Sequence, residues 1–65
     1  SDPISNQQAY ELSELASKIK DPKLQKGACD VINQRKVNSA NFDMVKEHCE
    51  KIIKEEEDKE KNNGK

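Results

Sequence analysis

The sequence predicts an all-α fold: a small up-down-up three-helix bundle with a charged, frayed C-terminal extension. Three observations carry this. Apolar residues recur at steps of three and four in three separate segments. Each segment follows a residue suited to cap a helix. The links between segments are very short, so neighbouring helices must run antiparallel and turn their apolar stripes inward.

Residues 1–4 are a lead-in, because Pro3 lacks a donor and disfavours helix at Asp2. Ser5-Asn6-Gln7-Gln8 then fits a capping box, with Ser5 as the cap and Gln8 able to reach back to its N–H. Ala9, Leu12, Leu15, Ala16 and Ile19 follow at helical spacing and predict a first helix over 6–20. Tyr10 falls at the edge of that stripe.

Asp21-Pro22 both stops the first helix and starts the second. Asp is a good cap, and Pro is favoured at the first helical position, where its missing N–H costs nothing. Leu24, Ala28, Val31 and Ile32 form the next stripe, which predicts a helix over 22–36. Gly27 within it is either a weak point of roughly 1 kcal/mol relative to Ala or a place of close approach. Gln34-Arg35-Lys36 places cations near the helix end, where they suit its dipole.

The stretch Val37–Ile53 organises the chain. Phe42, Val45, Cys49 and Ile52 share one stripe, and Ile53 widens it. Asn38 is placed to cap, with Val37 and Phe42 flanking it as a hydrophobic staple. The predicted helix runs over 39–58. Its last turns rest on four-apart charge pairs: Lys51 with Glu55, Lys54 with Asp58, Glu55 with Lys59 and Glu57 with Lys61. The domain is expected to span 1–61, with 62–65 a disordered tail.

Composition bounds what such a chain can do. Sixty-five residues make one small domain. With 31% of residues hydrophobic and 38% charged, the core is thin, and a staple, a partner or a larger parent chain would help it fold. The formal net charge of −1 removes self-repulsion as a reason for disorder. No run approaches the ~20 apolar residues of a membrane span, and no signal peptide is present. The charged end lacks punctuation before Gly64, which suggests a fragment of a longer protein.

Cys29 and Cys49 are the sharpest pair. Cys29 lies nine residues before Asn38 and Cys49 eleven after it. On antiparallel helices they would differ by only ~3 Å in height at ~1.5 Å per residue. A disulfide between them would close a loop of about twenty residues and stabilise by ~3 kcal/mol in the chain-entropy model. The alternative is two reduced cysteines acting as small hydrophobes. Nothing in the sequence demands an oxidising compartment, which leans slightly toward an intracellular chain.

Other chemistry finds little support. One His and no C-x-x-C leave zinc without ligands, so no metal or cofactor is expected. His48 and Cys49 are helix neighbours pointing ~100° apart, a poor nucleophile pair. Carboxylates sit beside lysines rather than in a cleft, which argues against an enzyme. Glu55-Glu56-Glu57-Asp58 lacks the turn of a calcium loop and reads as a solvated face. Asp43, Glu47 and Glu50 would repel phosphates, so nucleic acid is not an expected partner.

What remains is surface. Tyr10, Met44 and Ile53 lie at or beyond the stripe edges and are the candidate partner-binding residues; equally, they could widen a thin core. The expected function is a non-enzymatic helical module that binds another protein, with a groove between two helices as its surface. The alternative is a small secreted ligand or effector stapled by Cys29–Cys49.

Overall fold

The structure is a computed structural model and describes residues 2–63. It has three helices: α1 (Asn6–Ser17), α2 (Pro22–Asn33) and α3 (Phe42–Asn63). There is no strand among the described residues. A lone antiparallel bridge pairs Pro3 with Asn38, and the Ser39 N–H donates to the Asp2 carbonyl at 2.8 Å.

Each helix begins where local chemistry dictates. The Ser5 hydroxyl accepts from the Gln8 N–H at 3.1 Å while Gln8 Oε1 accepts from the Ser5 N–H at 2.9 Å, completing the capping box. Asp21 Oδ1 accepts from the N–H groups of Lys23 and Leu24, with Pro22 at the head of α2. Asn38 Oδ1 accepts from the N–H groups of Ala40 and Asn41, and Asn41 Oδ1 accepts in return from the Asn38 N–H at 2.8 Å. This reciprocal pair caps a tight turn, and regular helix follows at Phe42 rather than at 39.

The helix ends differ from expectation, for three separate reasons. α1 stops at Ser17, not 20, because Ile19 leaves the helix to be buried at 2% exposure. Gln25 Nε2 donates to the Ser17 and Ile19 carbonyls that this leaves open. α2 stops at Asn33, not 36. The Arg35 N–H donates to the Ile32 carbonyl and the Lys36 N–H to the Val31 carbonyl, a Schellman motif with Arg35 at φ 58° where glycine is usual. α3 continues past 58 to Asn63 and so takes in two residues of the expected tail. The other two, 64 and 65, lie outside the described residues. Of the four expected charge pairs on α3, Lys54–Asp58 forms, at 3.3 Å.

The topology follows from who meets whom. Glu11 in α1 pairs with Lys46 in early α3 at 2.9 Å, and Lys20, just past α1, pairs with Glu60 in late α3. α1 and α3 are therefore parallel, with α2 antiparallel between them in sequence. α1 packs closely on both other helices, while the backbones of α2 and α3 stand further apart and meet through side chains in the core.

The core has two layers. Leu12, Val37 and Phe42 form one, with Ile4, Val31, Ile32 and Val45 packed against it. Ile19, Cys49 and Ile52 form the other, joined by Leu15, Ala28 and Ile53. Val37 and Phe42 share this layer, but they bracket the Asn38 turn and not the first turn of α3, which begins at Phe42. Leu24 departs from expectation. It shares the α2 stripe with Val31 but is 46% exposed, because α3 does not close over it.

Candidate functional site

Where α2 and α3 stand apart, a groove opens. Leu24, Gly27, Ala28 and Val31 line it from α2, and Met44, Val45, Cys49 and Ile52 from α3. No α1 residue contributes, so the groove lies between the two helices that α1 bridges. Its volume is about 380 Å³. Leu24 to Val31 spans seven residues, about two helical turns or ~10 Å at 1.5 Å per residue.

The lips are the exposed apolar side chains. Met44 on α3 is 68% exposed and Leu24 on α2 is 46% exposed; because α2 and α3 run antiparallel, they stand toward opposite ends of the groove. A side chain added at Gly27 would meet nothing within 4 Å, so this glycine lowers the α2 wall without relieving a contact. Lys23 and His48 are the remaining lining residues, and both are exposed.

The three surface candidates do not converge. Met44 belongs to the groove. Tyr10, 67% exposed, lies on a different face with Glu11, Glu14, Lys46 and Glu50. Its phenol pKa is raised by a hydrogen bond to Glu14 and by that carboxylate's charge. Ile53 is half-buried against the Ile19–Cys49–Ile52 layer. Leu24, the other lip, escaped the sequence reading because its spacing is that of a core residue.

Cys49 is buried at 1% exposure, Cys29 is half-buried, and both thiols are free. Burial pushes the Cys49 thiol up, and the neighbouring Cys29 adds to the shift. A neutral, shielded Cys49 behaves as an apolar part of the groove floor. Among the described residues no three His, Cys, Asp or Glu side chains cluster to hold a metal ion, and no helix is long and apolar enough to cross a membrane.

The acidic run on α3 does more than solvate a face. The backbone N–H groups of Lys20 and Asp21 donate to Glu56 Oε1 and Oε2 at 2.8 and 2.9 Å. Glu56 therefore ties the α1–α2 link to α3 and fixes the closed end of the molecule next to the groove. No protein-family model matches the chain, and no curated protein or solved structure matches it.

Proposed function

We propose that the chain is a non-enzymatic interaction module, a piece of a larger protein, that receives a helix of another protein in the α2/α3 groove. One observation supports this above the others: Leu24 and Met44, toward opposite ends of one apolar cleft, are exposed large apolar side chains that the chain itself leaves uncovered. Two exposed large apolar residues on one cleft are a stronger mark of a docking surface than two scattered ones. A helix laid there would meet α2 and α3 as α1 does on the other side. The groove's two-turn length suits apolar anchors spaced i, i+3 or i+4, and i+7.

The test is a groove-filling variant. Gly27→Leu places a bulky side chain where a Cβ meets no neighbour and where leucine favours helix. It should keep the fold and block partner capture by the longer parent protein, whereas Tyr10→Ala should leave capture intact. Capture that survives Gly27→Leu but is lost in Tyr10→Ala would move the binding surface to α1.

A further inference from the structure

The chain has two cysteines, and the fold sets them level on facing helices. Ala28 and Cys49 line the same groove, and Ala28 packs against the layer that holds Cys49. Cys29 follows Ala28, so it stands within about one residue's rise, ~1.5 Å, of that level. Its side of α2 is fixed as well. Gln25, one turn earlier on the same face, donates to the Ser17 and Ile19 carbonyls. Ile19 is a neighbour of Cys49 in the core. Both cysteines therefore turn toward the same stretch of chain at the end of α1. Both thiols are free, Cys29 half-buried and Cys49 buried, and the charge of Cys29 is felt at the Cys49 thiol.

We infer that Cys29 and Cys49 are a thiol–disulfide switch that ties α2 to α3 and narrows the groove between them. The oxidant is a small disulfide of the glutathione class. The Cys29 thiolate attacks one of its sulfurs, its S–S bond breaks, and one small thiol departs. The Cys49 thiolate then attacks Cys29 Sγ from inside the core, and the second small thiol departs. The pair loses two electrons and two protons, and the small disulfide takes them up as two thiols. Only Cys29 has to meet the oxidant, so the burial of Cys49 is no obstacle. A disulfide holds its α-carbons within about 7 Å. The backbones of α2 and α3 stand further apart than α1 does from either, so the bond draws α2 toward α3. A Cβ at Gly27 would meet nothing within 4 Å, which leaves α2 room to move in.

Incubation of the reduced, native chain with oxidised glutathione tests this. Intact mass without reductant should show a monomer lighter by two hydrogens. The melting temperature should rise by about 10 °C or more and return on reduction. Cys49→Ala should stop at a mixed disulfide between glutathione and Cys29, because the second attack is lost. Nuclear magnetic resonance of the Met44 and Val31 methyl groups should shift on oxidation of the intact chain and not of Cys49→Ala. A lasting mixed disulfide on the intact chain, a disulfide-linked dimer, or an internal bond that forms only in denaturant would overturn the pairing. An internal bond that leaves both methyl groups unmoved would overturn the coupling to the groove. None of these measurements uses a binding partner, so their failure is distinct from failure of the proposed groove function.

Discussion

Glu56 receives the backbone N–H of Asp21 on one carboxylate oxygen and that of Lys20 on the other, joining residues 35 and 36 positions apart. Asp21 in turn caps α2 with its own side chain. A carboxylate late in α3 therefore holds the residue that starts α2. Glu56→Ala should cost about 1–2 kcal/mol, at the low end for hydrogen bonds to a charged group because this one is partly solvated. Glu56→Gln keeps one acceptor and should cost less. Chemical denaturation of the three proteins checks the order; an Ala variant as stable as the original would mean that the link holds itself.

Arg35 occupies the left-handed position of the α2 Schellman motif at φ 58°. A side chain there costs roughly 1–2 kcal/mol, part of which glycine gives back through a freer unfolded chain. Arg35→Gly should therefore stabilise by about 0.5–1 kcal/mol, a rise in melting temperature of several degrees for so small a domain. A fall would show that the Arg35 side chain contributes more than its backbone costs.

Core and groove residues should separate cleanly in stability. Leu12 is fully buried, and Phe42, the only phenylalanine, is 8% exposed. Leu12→Ala and Phe42→Ala should each cost about 3 kcal/mol, which leaves little of a small domain's stability. Leu24→Ala should cost under about 1 kcal/mol, because that side chain is only partly withdrawn from water. Thermal melts of the three variants test the split. A Leu24 variant as damaged as Leu12→Ala would mean that α2 and α3 close over the groove in solution.

Cys49 should be the slower of the two thiols to alkylate in the native state, since it is buried and its thiolate is disfavoured. The same shift makes stability depend on pH. The unfolded thiol ionises near its ordinary value of about 8.5 while the folded one stays protonated, so the native state binds more protons above that pH. Stability should therefore fall as the pH rises from about 8.5 toward the raised folded value. Cys49→Ala should remove this part of the slope, and equal alkylation rates for Cys29 and Cys49 would count against the buried placement.

Much of the fold was legible in local chemistry. Ser5 with Gln8 and Asp21 with Pro22 each act within a few residues, so their roles can be read from neighbours alone, whereas Asn38 caps a turn and α3 itself starts only at Phe42. The helix ends were less legible because tertiary demands set them. Ile19 leaves α1 for the core, and Lys20 with Glu60 ties down a stretch of α3 that sequence alone left frayed. Nothing local marks Arg35 for a left-handed conformation. The groove was half legible. Periodicity places Leu24 and Val31 on one face of α2, but it cannot say that the face divides between a closed core and an open cleft. That division depends on how far α3 stands from α2, which is a property of three helices and not of one.

Because α1 packs closely on both other helices while the backbones of these two stand further apart, the order of assembly is constrained. In a simple helical hairpin, the second and third helices could zip up from their shared turn and wait for the first. Here that hairpin can bring only Ala28, Val31 and Ile32 to α3, and the layers they join are completed by Leu12 and Ile19. The contacts that close the molecule join residues near the start of the chain to residues some 35 to 40 positions later, such as Glu11 to Lys46 and Lys20 to Glu56 and Glu60. Loops of that length must close before these contacts form, which slows folding relative to a bundle of purely local contacts. A peptide covering 22–63 should consequently be two fluctuating helices, and adding a synthetic 1–21 segment should bring both into order at once.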